Sequence, residues 1–585
     1  MSQPRPAISP QLLSEVIDSA PDRVRRRLDR TPEVASDWAW ELVGDTWTIA
    51  AGNETVTLPT TPIESIAQIG CTCLLAPNCF HLLACLASLE VSISQPAMSE
   101  SESTSPGGEE VDNSPDNVSP SETQQRAAAE LAQSLAKLLH VGVASAGVVV
   151  QSALLRSVHQ CRAEGLHRAA AAGMRVLAGI GQIRARTMES DPGQLADDVA
   201  EVLETTRYLQ NGLPIPAFWL GTARRRQLPV RPRKLHGLLA EPIVTRSGYA
   251  GAAVYFLGED EQIYTASDLR PGDSQYARDA YHGGIEIGPL IQPARHLARG
   301  LYLGSDMTAS TDGRLGRGKR VKVVEQGKCT WSADAVQRRF SRPFLDQLDG
   351  IFAEAELPAD ARSAGWNLVF IEGACIGACG PELILQLRSE DRHLRLAIEN
   401  EDQRLAFREN LRMLSHAPGL EMQVIGRLNP QEPAVVYPLA LGAIESPKDD
   451  PERPRLDLPD SWGDRVCLGF DQLQRKQLLN AQPAPVVLAA QIAPLSEDPL
   501  AVLRRRWIAT MLAGTASQSS GRHRVEEEAA SLARDGYLTG AALLDALARG
   551  YGAVGPSSLE TFLAAAVYLR SSRYELAKAA IRQNE

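Results

Sequence analysis

Four of the nine cysteines, Cys71, Cys73, Cys79 and Cys85, fall within fifteen residues, and this crowding constrains the chain more than any other feature. A chain of 585 residues builds its own cores and needs no disulfide staples. An odd cysteine count with no secretion signal also argues against a disulfide framework. The opening MSQPRPAISPQLL has neither the basic region nor the apolar core of a signal peptide. A cytoplasmic protein is therefore expected, and in a reducing compartment a tight cysteine cluster points to metal. The cluster reads Cys71-Thr72-Cys73, five residues, then Cys79-Phe80-His81. Zinc takes four nitrogen or sulfur ligands tetrahedrally, and three cysteines with one histidine are a common structural set. The first pair offers two thiolates from a turn at a strand end. The second offers a thiolate and an imidazole from a helix start, with Pro77-Asn78 turning the chain between them.

The segments around the cluster read as strands and a helix. A helix is expected over Pro10–Leu28. Strands follow at Trp38–Val43, Trp47–Ala50 and Thr55–Leu58, separated by the turn signals Gly44-Asp45 and Gly52-Asn53. A second helix runs over Cys79–Leu89, with Leu82, Leu83, Leu86 and Leu89 on one face. In this setting CTC-x5-CFHLLA resembles the SWIM-type zinc finger, whose pattern is CxC, a variable gap, then CxH. The resemblance covers roughly residues 40–90. It implies Zn2+ held by Cys71, Cys73, Cys79 and His81, in a module that binds DNA or protein. Cys85, four residues after His81, is read as core packing, with a ligand role left open. Four protein ligands leave no position for substrate, so the metal is read as structural.

The rest of the chain divides by composition. An α+β, multidomain architecture is expected, with the zinc module over residues 1–93. Residues 94–123 carry seven acidic residues, no basic one and little to bury, so they read as a disordered acidic linker and the first site of limited proteolysis. Residues 124–212 read as a bundle of three or four antiparallel helices. Leu195, Val199, Val202, Leu203, Thr206 and Leu209 form a stripe after the start signal Asp191-Pro192. The span from 213 to 490 reads as one or two β-rich α+β modules or small barrels, with helices at Ala333–Glu354 and Gln403–Ser415. Residues 491–585 read as a C-terminal helical region. The apolar stretch Leu138–Leu155 contains His140, Gln151 and two serines, and is read as a buried helix rather than a membrane span.

Charge bears on partners. The chain carries 60 basic and 71 acidic residues, a net charge of -11. Residues 1–93 hold six basic and eleven acidic residues, against a phosphate-binding face there except locally at Arg23, Arg25, Arg26, Arg27 and Arg30. The nucleic-acid candidates are two later clusters. Arg224, Arg225 and Arg226 precede Arg231, Arg233 and Lys234. Arg314, Arg317, Lys319 and Arg320 precede Lys322. Few aromatics interleave, so single-strand stacking is not indicated. A third run, Arg504–Arg506, precedes Trp507.

The run from Gly313 to Lys319 fits the start of a phosphate loop, but Arg320 stands where Ser or Thr should ligate magnesium. The sequence after it reads as a strand, so no nucleotide is expected. Cys375 and Cys379 read as buried thiols beside a glycine turn, and His282 and His296 as isolated. No catalytic constellation emerges. The expectation is a non-enzymatic zinc-binding adaptor that recruits protein or nucleic acid. The alternative is an enzyme with its active site in 213–490 and the finger as targeting module.

Overall fold

Two glycines and an alternation of large side chains explain the first sheet. In the computed structural model, β1 (Ala39–Val43), β2 (Thr46–Ala51), β3 (Glu54–Pro59) and β4 (Gly70–Cys71) pair in that order, all antiparallel. Gly44 and Gly52 turn the hairpins with φ of +63° and +71°. Trp47 faces Leu58 and Ile49 faces Val56 across β2 and β3, and these four side chains are buried. The helix α1 (Phe80–Ala87) closes this layer, with Leu82, Leu83 and Leu86 in the core and Leu89 buried just beyond it.

The structure describes all residues except 1–4, 9–11, 14–15, 17–19, 22, 25–26, 29–33, 64, 90–116, 188–189, 223–226, 246–247, 319, 360, 431, 445–451, 482–497, 516–521, 550–555 and 583–585. It forms two compact units, one of residues 1–223 and 497–570, the other of 224–496 and 571–585. The residues after 497 thus divide between the two.

In the first unit, the helix expected over Pro10–Leu28 is interrupted at Ala20-Pro21, where proline cannot donate to the preceding turn. Leu12, Val16, Val24 and Leu28 on its described turns are buried against the β1–β4 layer. Part of the expected linker carries structure: β5 (Asn117–Val118) pairs with β6 (Ile215–Pro216). Its residues 94–116 lie outside the described residues. Ser121 then caps α2 (Glu122–Val141) in a capping box with Gln124. After it come α3 (Val148–Ala163), α4 (His167–Ala185) and α5 (Pro192–Gln210). Asp191 caps α5 with proline at its first turn, and the whole stripe from Leu195 to Leu209 is buried.

The stretch Leu138–Leu155 is not one helix. Gly142, with φ +84°, ends α2, and a short turn leads to α3. The reason is a close backbone crossing with the helix Ala501–Ala513: a Cβ on Gly142 would lie 2.4–2.6 Å from Ala513 and Gly514 backbone atoms, and one on Gly514 equally near Gly142 and Val141. Gly142→Ala should lower stability by about 3 kcal/mol, from backbone strain and the contact combined. A shifted urea midpoint at unchanged slope checks this.

The second unit is built on two large sheets. β7 (Leu228–Pro229) leads into the long strands β8 (Lys234–Val244), β9 (Tyr249–Gly258) and β10 (Ile263–Pro271). After a helix Ser274–His282 come β11 (Gly284–Ile287) and β12 (Leu290–Pro293), then β13 (Gly300–Ser305), β14 (Thr308–Ala309) and β15 (Lys322–Lys328). The first large sheet runs β10-β9-β8-β13-β15, while β14 pairs with β7. The helix expected over Ala333–Glu354 is two helices, Asp334–Phe340 and Phe344–Ala355, broken at Pro343.

The second sheet follows from β16 (Leu368–Cys379), β17 (Glu382–Leu387), β18 (His393–Leu396), β19 (Glu421–Leu428) and β20 (Val435–Ala443). β18 pairs parallel with β20, so these five close into a small barrel. Its interior is Val369, Ile371, Leu385, Val424 and neighbouring apolar residues, capped by Phe344, Leu348 and Phe352. No helix among the described residues is long and apolar enough to cross a membrane.

Candidate metal centre

The β3–β4 pairing places the first ligand. Cys71 sits opposite Val56. The next residue, Thr72, is locked to β3 three times over: its N–H donates to Thr55 O at 3.0 Å, its hydroxyl accepts from Thr55 N at 2.9 Å, and the hydroxyl donates to Glu54. This fixes the turn from which Cys71 projects. Cys79 is the N-cap of α1, and its Sγ accepts the N–H of Leu82 at 3.4 Å. His81 lies in the first turn of the same helix, its ring 6.2 Å from Trp38 and 6.0 Å from Phe80.

The ligand atoms of Cys71, Cys79 and His81 all lie within 4.8 Å of one another, a group able to hold a metal ion. Two properties of the group fit that use. The Nδ1 of His81 is buried and has no hydrogen-bond partner. Leaving a buried polar atom unpaired costs about 1–3 kcal/mol, and a metal removes that cost. Backbone amides also point at the sulfurs: Cys73 N–H donates to Cys71 Sγ at 3.4 Å, as Leu82 N–H does to Cys79. Such donors favour the thiolate.

Without an ion Cys79 favours its neutral thiol. Burial, with the neighbouring Cys71 and Cys73, pushes the Cys79 thiol up to about 11, against the pull of the Leu82 amide. A cation between the sulfurs reverses that balance, so uptake displaces a proton from Cys79 and strengthens as pH rises.

Cys73, expected as a ligand, is outside the 4.8 Å group. It lies partly buried on the turn after Cys71, and its carbonyl accepts from Ala76 N–H at 3.0 Å. Cys85 is fully buried in the module core, where burial pushes its thiol to about 12. The core-packing reading of Cys85 is the one its position supports.

The other sequence candidates fall as follows. Arg23 and Arg27 are exposed, with the Arg27 guanidinium 4.0 Å over the Phe80 ring; Arg25, Arg26 and Arg30 lie outside the described residues. Arg224, Arg225, Arg226 and Lys319 also lie outside them. Arg317 and Arg320 are exposed and Arg314 half-buried. The loop from Gly313 to Gly318 leads toward β15, a strand, where a phosphate loop needs a helix. Arg506 is paired with Glu528 at 2.7 Å and Trp507 is buried. Cys375 and Cys379 stand on β16 beside an irregularity at Gly377. The buried Cys375 thiol donates to Leu414 O at 3.3 Å. His282 and His296 are exposed.

Sequence reading missed the buried ionic clusters of the second unit. The Glu241 carboxylate, 2 % exposed, accepts from Arg427 at 2.7 and 2.8 Å and from the Tyr255 hydroxyl at 2.9 Å. They adjoin a cavity of about 40 Å³ lined also by Glu399, Asn400 and Tyr437. That is room for a water, against roughly 300 Å³ or more for a ligand pocket. No periodicity or motif marks Glu241 or Arg427, because their pairing depends on two strands distant in sequence.

No family model, curated protein or solved structure matches this chain. The structure therefore defines a mixed α+β protein of two units with a Cys71–Cys79–His81 group able to bind a metal ion.

Proposed function

We propose that this chain is a zinc-stapled adaptor whose N-terminal module is of the SWIM type. Cys71, Cys79 and His81 hold the ion and Cys73, on the turn after Cys71, supplies the fourth ligand. A His81 ring nitrogen within 4.8 Å of two cysteine sulfurs, on a ring whose buried Nδ1 has no hydrogen-bond partner, carries this reading. A fourth protein ligand closes the coordination shell, so the ion stabilises a binding module and does not activate water. The module presents Leu74 fully exposed and Leu75 half exposed on the loop between the ligand pairs, an apolar tip suited to a protein partner.

Elemental analysis of the purified chain should find one zinc per molecule, and Cys79→Ser should lose it. Partners captured by the wild type in a nuclease-treated lysate should be missing from Cys79→Ser. A folded wild type with no metal would overturn the reading.

A further inference from the structure

Two stretches of the sequence are purely cationic: residues 224–234 carry six basic residues and 313–322 carry five, with no acidic residue in either. They are some eighty residues apart in a chain of net charge -11. The fold brings their described residues, 227–234 and 313–318 with 320–322, to one place. Strand β7 pairs with β14 through Pro229–Thr308 and Leu228–Ala309, and Ala309 bridges in turn to Leu315. Val230 N–H donates to Met307 O at 2.9 Å and Gly316 N–H to Thr308 O at 2.7 Å, so β14 is clasped between the two stretches. The clasp is tight: a Cβ on Gly316 would meet Thr308 Oγ1 at 2.2 Å and Gln227 Oε1 at 2.7 Å.

The large sheet continues the same convergence. Lys234 opens β8 and pairs across β13 at Leu303, while Lys322 opens β15 and pairs across β13 at Ser305. The two lysines thus stand at the same end of the sheet, two strand spacings apart and offset by two residues, about 12 Å in all. Arg231, Arg233 and Arg320 flank them, and all five side chains are exposed. Three acids lie at the patch, Glu259, Glu286 and the exposed Asp306 between β13 and β14, fewer than the cations around them. Glu259 accepts the backbone N–H of Arg233 at 2.8 Å, and Glu286 lies 3.9 Å from Arg317. The field is felt inside the sheet, where burial, then Lys234 and Arg338, hold the His236 imidazole below its usual range against Glu259.

We propose that the β7–β14 ribbon and the adjoining starts of β8 and β15 form a docking surface for the phosphate backbone of double-stranded nucleic acid. Cations at strand spacing, without exposed aromatic rings among them, suit phosphate contact rather than base stacking. Binding is therefore sequence-independent and steeply salt-dependent. This rests on the adaptor reading and names a partner for it, on residues that belong to the second unit while the metal ligands belong to the first, so the two are tested separately.

The test is fluorescence anisotropy of a labelled 20-base-pair DNA duplex titrated with the full chain at several salt concentrations. Wild type should bind with affinity falling steeply as salt rises. Arg233→Glu with Lys322→Glu should weaken binding by about tenfold or more and flatten the log–log salt slope by about 2. Arg412→Glu, an exposed charge reversal outside the ribbon, should bind the duplex like wild type, and zinc content measured on the same preparations reads the metal proposal separately. Equal binding by the double variant, no duplex binding at low salt, or retention of a polyglutamate peptide in place of the duplex would each overturn the proposal.

Discussion

Stripping the metal should unfold the N-terminal module and leave the rest of the chain intact. Thiolate and imidazole ligands in small zinc modules gain on the order of 10 kcal/mol from the ion, more than a core of this size supplies alone. The ligands join elements that otherwise meet only through that core: Cys71 ends β4, and Cys79 and His81 begin α1. Without the ion, the crowded sulfurs and the orphaned His81 Nδ1 disfavour bringing them together. Hydrogen exchange after chelation should show protection lost over residues 39–89 and kept in α2–α5, which have their own buried stripes. Unchanged exchange across 39–89 in metal-free protein would show that the core suffices and that the ligands are not a staple.

The second large effect is expected far from the metal. Arg465 on the strand Arg465–Cys467 is fully buried, yet every part of its guanidinium is engaged. Nε donates to Asp464 at 2.9 Å, Nη1 to Gly237 O at 2.8 Å and Leu238 O at 3.0 Å, and Nη2 to Cys329 O. The group also stacks 5.3 Å over the Trp331 ring, whose Nε1–H donates to the same Leu238 carbonyl at 3.0 Å. Arg465→Met keeps much of the volume but strands the Gly237 and Cys329 carbonyls and takes the guanidinium from Asp464. Removing one partner of a buried charged network costs about 3–5 kcal/mol. Urea unfolding followed by tryptophan emission should show a loss of that size. Arg465→Lys, with the charge but not the planar fork, should fall between. A loss under about 1 kcal/mol for Arg465→Met would mean that water replaces the guanidinium.

How much of this was legible beforehand depends on whether the signal was local. The strands β1–β3 were readable because Gly44 and Gly52 punctuate an alternation whose inward members are Trp47, Ile49, Val56 and Leu58. The α5 stripe and its Asp191-Pro192 start were readable for the same reason. The breaks at Pro21, Gly142 and Pro343 were present in the sequence, but an apolar run on either side outweighed them. β8 is not legible as a strand, because KLHGLLAEPIV does not alternate and contains Pro242; it lies at the centre of its sheet with five consecutive residues buried. At the metal centre, ligand types and spacing were legible, because coordination chemistry fixes them. That Cys71, Cys79 and His81 converge while Cys73 stands aside was not legible, since it depends on the turn that Thr72 fixes against β3. The buried Arg465 network and the joining of the two cationic stretches were hidden for a further reason. Each depends on strand pairings between residues many tens of positions apart.

Zinc-edge X-ray absorption on the purified full-length chain measures the proposed centre most directly. A closed structural site gives sulfur neighbours near 2.3 Å and a single imidazole nitrogen near 2.0–2.1 Å. The expected spectrum has three sulfurs and one nitrogen in wild type, and no bound zinc in Cys79→Ser. A first shell dominated by oxygen, or a sulfur signal unchanged in Cys79→Ser, would contradict a staple built on Cys71, Cys79 and His81.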